Sequence, residues 1–99
     1  LYVHQIRVEV GDEEVNAVPE GIHQDGYDYI CISCVNKNNI EGPENEVLDL
    51  NYNVIYKSIM EPGDNIILND RKYYHNVTKL KKTSEGLGFR DIFVFTTIS

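Results

Sequence analysis

Phe89-Arg90-Asp91-Ile92-Phe93-Val94-Phe95-Thr96-Thr97 is the run that decides the fold. Side chains alternate across a strand, so Ile92 and Val94 share one face while Phe93 and Phe95 share the other. Both faces are apolar, which asks for a strand covered on two sides. Outward from this run the same β character recurs. Leu1–Val10 is rich in β-branched residues and stops at Gly11-Asp12. Residues 11–22 are acidic and polar, with Pro19 and Gly21, and read as a loop. Tyr27–Val35 is a β-prone run, and Asn36–Asn45, with four asparagines, Gly42 and Pro43, reads as a long turn-rich connection. Glu46–Leu50 and Asn53–Met60 read as strands, followed by a tight turn at Glu61-Pro62-Gly63-Asp64 of the type II pattern. Ile66–Asn69 and Tyr73–Thr78 are short strands, Lys79–Gly88 a charged loop, and Phe89–Thr97 the last strand. No amphipathic helix and no repeat interrupts the series. Short strands punctuated by turns indicate an all-β sandwich or barrel, and a jelly roll fits best.

Length and charge narrow the function classes. Ninety-nine residues set a ceiling of one domain with a modest core, a single unit spanning 1–99. No apolar run approaches the roughly 20 residues of a membrane helix, and no secretory signal is present at the start. The chain opens at Leu1 and enters strand-like sequence at once, which reads as a fragment lacking N-terminal elements. The net charge is −7, and an acidic domain disfavours nucleic-acid partners. Its placement is uneven: residues 1–50 carry eleven acids against two bases, residues 51–99 five acids against seven. The basic group Arg71, Lys72, Lys79, Lys81 and Lys82 reads as a solvated edge and loop. Cys31 and Cys34 lie three apart in a strand, hence on opposite faces, and cannot readily bond to each other. Reduced thiols and the missing signals point to the cytoplasm. Asn76-Val77-Thr78 matches a glycosylation sequon without the secretory context that would give it meaning.

Three residue sets could carry chemistry. In extended chain, His23 and Asp25 of His23-Gln24-Asp25 share a face, so an imidazole and a carboxylate can reach one ion. His75 stands fifty residues after Asp25, within a strand, and Arg90 fifteen after His75, beside the apolar run. Two histidines and a carboxylate on one face of a six-coordinate Fe(II) leave positions open for a bidentate 2-oxo acid and O2. A buried arginine needs a partner, and a distal carboxylate of that cosubstrate would supply it. Each piece alone is unspecific, since a lone strand histidine is more often a hydrogen-bonded core residue than a ligand. The order of the pieces on an all-β background is what carries the reading. Asp28 and Asp70 are the rival carboxylates: Asp28 lacks the parity of His23, and Asp70 reads as a turn residue in Asn-Asp-Arg.

The stretch Val18-Pro19-Glu20-Gly21-Ile22-His23-Gln24-Asp25-Gly26-Tyr27-Asp28 resembles the P-E-G-x-H-x-D-G-x-D signature of a bacterial 2-oxoglutarate/Fe(II)-dependent dioxygenase family. That family includes hydroxylases of free L-amino acids such as isoleucine. Asn39-Ile40-Glu41-Gly42, Asp70 through Thr78, Gly88-Phe89-Arg90-Asp91 and Val3-His4-Gln5-Ile6-Arg7 extend the resemblance over nearly the whole chain. It implies a double-stranded β-helix with Fe(II) on His23, Asp25 and His75. It also implies 2-oxoglutarate on Arg90, O2 as co-reactant and a small-molecule substrate. The reaction implied is hydroxylation of a free amino acid, with release of succinate and CO2. Asp91-Ile92 follows Arg90 where many related oxygenases have R-x-S, so the hydroxyl partner of the cosubstrate is unassigned. Two other readings of the same residues stand beside this one: a cupin-like metal protein without 2-oxoglutarate chemistry, and a non-catalytic β-sandwich interaction module.

Overall fold

The computed structural model describes residues 1–16 and 21–97. Pro19 of the first loop, with the Val18–Glu20 start of the signature, lies outside the described residues. Nine strands follow one another: β1 Tyr2–Val10, β2 Tyr29–Asn38, β3 Ile40–Glu41, β4 Asn45–Leu48, β5 Val54–Ser58, β6 Asn65–Asn69, β7 Tyr74–Val77, β8 Lys81–Lys82 and β9 Gly88–Thr97. There is no helix among the described residues, and none long and apolar enough to cross a membrane.

A four-stranded sheet has the order β1-β9-β2-β6 and a three-stranded sheet the order β5-β4-β7, with all neighbours antiparallel. β3 and β8 form a separate pair. The period-2 pattern of β2 sends Ile30, Ile32 and Cys34 inward, where they pack with Leu68 of β6, Val47 of β4 and Met60. That cluster is the core between the two sheets. Burial raises the Cys34 thiol pKa, and both cysteines are free and on opposite faces, as their spacing requires.

The deciding run behaves as an alternating strand. Arg90, Ile92, Val94 and Thr96 line up in register with Val8, Ile6, His4 and Tyr2 of β1 on the inner face. Phe93 and Phe95 point to the outer face with ring centroids 6.1 Å apart, and remain partly exposed there. Among the described residues no second layer covers them. On that face Asp91 accepts a bidentate pair from Arg7 at 2.7 and 2.8 Å, and the Arg7 guanidinium lies 4.1 Å from the centre of the Phe89 ring.

Two connections differ from the sequence reading. The Asn-rich segment is not all turn: β2 continues through Asn36–Asn38, which pair with Asp91, Arg90 and Phe89 after a bulge between Cys34 and Asn36. Pairing along a central strand overrides the poor strand preference of asparagine. The chain turns only at Asn39, whose φ of 54° is a conformation asparagine tolerates. The charged loop likewise contains β8, and Gly88 belongs to β9. Lys81 and Lys82 there face Glu14 at 3.8 Å and Asp12 at 3.0 Å, so basic residues of the second half meet acids of the first. The tight turn forms as expected: Asp64 N–H donates to the Glu61 carbonyl at 2.9 Å, with Gly63 at φ 98°.

Gly88 is demanded by contact rather than by dihedral. A Cβ there would stand 2.6 Å from Val10 Cγ1 and 3.0 Å from the Asn39 carbonyl oxygen. Val10 is fully buried, so it cannot swing away. Gly88→Ala should therefore destabilise the fold by about 1–3 kcal/mol, the usual cost of overpacking. Denaturant titration of the two proteins checks this, and an unchanged midpoint would show that the β1–β9 end yields freely.

Candidate metal centre

The exit of the first loop and strand β7 meet in a single antiparallel bridge. His23 N–H donates to the His75 carbonyl at 3.0 Å, and His75 N–H to the His23 carbonyl at 2.9 Å. Directly opposed residues of an antiparallel pair project to the same face. The imidazoles therefore stand together, with ring centroids 4.1 Å apart. Asp25, two residues on from His23, brings its carboxylate to the same place. Asp25 Oδ1 lies 3.0 Å from His23 Nε2, and Oδ2 lies 3.5 Å from His75 Nε2. The three donor atoms fall within 4.8 Å of one another. The i, i+2 spacing and the fifty-residue separation thus converge on one point.

Hydrogen bonding on the far side of His23 sets its tautomer. Its Nδ1 lies 2.7 Å from the Gly21 carbonyl oxygen, which can only accept, so Nδ1 carries the proton. In a neutral ring Nε2 is then a lone pair, and it faces a carboxylate oxygen that is also an acceptor. Something positive belongs between them. His75 Nε2 presents the same requirement, being buried with no hydrogen-bond partner among the described residues. Cis donors about 2.1 Å from one ion stand about 3 Å apart, the spacing His23 and Asp25 already have. A divalent cation fits this donor set. The His23 imidazole beside it, followed by that of His75, holds the Asp25 carboxyl well below the ordinary carboxylate range, so it is ionised.

Asp70 is a turn residue, as its sequence context indicates, but it is also fully buried. Its Oδ1 accepts the Asp25 backbone N–H at 3.1 Å and its Oδ2 that of Tyr27 at 2.8 Å. Oδ1 lies 3.7 Å from His75 Nε2. With both oxygens occupied by backbone donors, Asp70 anchors the segment that carries Asp25. Nothing in the Asn-Asp-Arg pattern signals this, because the contact spans forty-five residues. Asp28, the other rival, pairs with Arg71 instead. Asp70→Ala should lower divalent-metal affinity by about 10- to 100-fold, as loss of outer-shell support does. Calorimetric titration with Mn(II) reads this directly, and an unchanged affinity would reduce Asp70 to a turn-forming role.

From the triad a cleft of about 80 Å³ runs between the sheets, with Arg90 and Asn45 among its lining residues. Its walls are otherwise apolar, with Ile6, Ile32, Ile92 and Val94 from the four-stranded sheet and Val77 from the other. Arg90 is 3% exposed, and burial pulls its pKa down from the ordinary value. No carboxylate pairs with it among the described residues. Its hydrogen bond goes to a neutral group, with Nη1 donating to Asn45 Oδ1 at 2.9 Å. A guanidinium so placed is short of an anion. A wider concavity between Asp12–Glu14 and Lys81–Glu85 holds no member of the triad, and ion pairs cross it.

Solved structures similar to the chain include three of low sequence identity. One is IDO from Bacillus thuringiensis, with a TM-score of 0.83 and 24% identity, covering 95% of this chain and 43% of that one. A bsmA homolog from Methylobium petroleophilum PM1 gives a TM-score of 0.84 and 24% identity, over 98% and 40% of the two chains. The Fe(II)/(alpha)ketoglutarate-dependent dioxygenase TqaL gives a TM-score of 0.83 and 18% identity, over 97% and 40%. At such identities the likeness bears on the fold, an all-β double-stranded β-helix, and the chain spans less than half the length of each. No curated protein matches significantly. The family model described as 2OG-Fe dioxygenase matches residues 1–96, nearly the whole sequence and every residue of the triad and cleft. The chain belongs to the 2OG-Fe dioxygenase family.

Proposed function

We propose that this chain is the catalytic core of an Fe(II)- and 2-oxoglutarate-dependent dioxygenase that hydroxylates a free L-amino acid, releasing succinate and CO2. The observation that carries the reading is the buried His75 Nε2, which has no hydrogen-bond partner among the described residues, beside Asp25 and His23, with an anion-seeking Arg90 in the same cleft. His23, Asp25 and His75 are the iron ligands in this reading, and Arg90 binds the distal carboxylate of the cosubstrate. When bound, iron and 2-oxo acid together supply O2 activation for attack on an unactivated C–H bond.

The chain's own part is placement. The bond from His23 Nδ1 to the Gly21 carbonyl fixes which ring nitrogen faces the metal. Asp70 fixes the backbone of Asp25. The apolar walls exclude water, which strengthens the charge attraction between Arg90 and a carboxylate. A free aliphatic amino acid suits the signature Pro19 to Asp28, and the two free cysteines suit a cytoplasmic setting.

Supplying Fe(II), O2 and 2-oxoglutarate should yield succinate, at a rate raised by one free aliphatic amino acid. Metal binding with no succinate would leave a cupin-like metal protein instead. Failure to bind any divalent transition metal would leave an interaction module.

A further inference from the structure

We infer that Asn45 is a second cosubstrate-binding residue: its Oδ1 fixes the Arg90 guanidinium, and its amide N–H donates to the same distal carboxylate. The inference rests on the cosubstrate reading above and supplies the partner that the absent R-x-S pattern leaves unassigned. Asn45 begins β4 in the three-stranded sheet, whereas Arg90 lies on β9 in the other. Their 2.9 Å bond therefore crosses the cleft, with both residues 3% exposed.

A guanidinium offers only donors, so the amide must present its oxygen to Arg90. The amide NH2 is thereby turned off the guanidinium, and among the described residues no protein acceptor receives it. Asn45 lines the cleft. An anion seated on Arg90 would meet this second donor. The neutrality of the residue matters as much as its reach. A carboxylate at position 45 would itself be the counter-ion of Arg90 and would close the site. Lys37, opposite Arg90 in the β2–β9 register, offers no rival cation, because Glu61 binds it at 2.9 Å.

The test compares 2-oxoglutarate with 2-oxopentanoate, which keeps the chelating end but has a methyl group in place of the distal carboxylate. Each is titrated calorimetrically into the Mn(II)-loaded protein. The wild type should prefer 2-oxoglutarate strongly. Asn45→Asp should lower that preference on the order of 100-fold, as neutralising Arg90 would, with Mn(II) affinity unchanged. Asn45→Ala, which adds no charge, should lower it by about 10-fold through the lost bond to a charged group. Retained Mn(II) affinity certifies that each variant is folded, and Asn45→Ala, which leaves the charge of Arg90 unopposed, is the variant that decides for the amide donor. Equal weakening toward both 2-oxo acids would make Asn45 a structural tie between the sheets and overturn the inference. So would an intact preference in Asn45→Ala. Arg90→Ala run alongside separates the two levels. If it loses the preference while the Asn45 variants keep it, only the role of Asn45 falls. If it too keeps the preference, the assignment of Arg90 to the cosubstrate falls with it.

Discussion

Asp25→Ala should abolish succinate-coupled turnover and weaken divalent-metal binding by more than about 100-fold, the upper end of what outer-shell changes cost. Among the described residues, Asp25 alone of the carboxylates touches both histidines of the triad, at 3.0 and 3.5 Å. Asp70 cannot take over, because its two oxygens hold the backbone of the 25–27 segment. With the carboxylate gone, two imidazoles remain as protein donors, too few to fix one face of a six-coordinate ion. Calorimetric Mn(II) titration and succinate assay check the two halves separately. Wild-type metal affinity in the variant would remove Asp25 from the ligand set.

Arg90→Ala carries the second large effect, and it falls elsewhere. Metal binding should persist, because the hydrogen bond of Arg90 goes to Asn45 on the opposite sheet. The requirement for 2-oxoglutarate should rise on the order of 100-fold, since truncating one member of a buried charge pair costs about 2–5 kcal/mol. The turnover number at saturating cosubstrate should change far less. Steady-state kinetics with varied 2-oxoglutarate separates these quantities. An unchanged requirement would assign the distal carboxylate to another base. Arg90→Lys should recover only part of the loss, because a point charge replaces a planar fork.

What the chain reveals by itself follows the range of each interaction. Parity along a strand is local, so the shared face of His23 and Asp25, the separation of Ile92 and Val94 from Phe93 and Phe95, and the opposed cysteines were all legible, whereas which face of the last strand turns inward was not. The tight turn at Pro62-Gly63 was legible for the same reason, since its chemistry lies within four residues. Register is long-range. Nothing near His75 says that its backbone pairs with that of His23, and the order of residues rather than any pattern brought the two together. The extension of β2 through Asn36–Asn38 was hidden likewise, because strand propensity there is poor and the pairing partner lies more than fifty residues away. Asn45 and Asp70 were the harder cases. Each is an ordinary turn-type residue in a turn-rich stretch, and only burial turns it into a partner of Arg90 or of the Asp25 backbone.

The most direct measurement is an anaerobic titration of the protein with Fe(II) and 2-oxoglutarate, followed by visible absorption. A weak charge-transfer band should grow as the chelate forms, and it should be missing in His75→Ala under the same conditions. That result would establish metal site and cosubstrate together. A band of equal strength in His75→Ala, or no band in the wild type at saturating Fe(II) and 2-oxoglutarate, would contradict the assignment of this centre to iron and a 2-oxo acid.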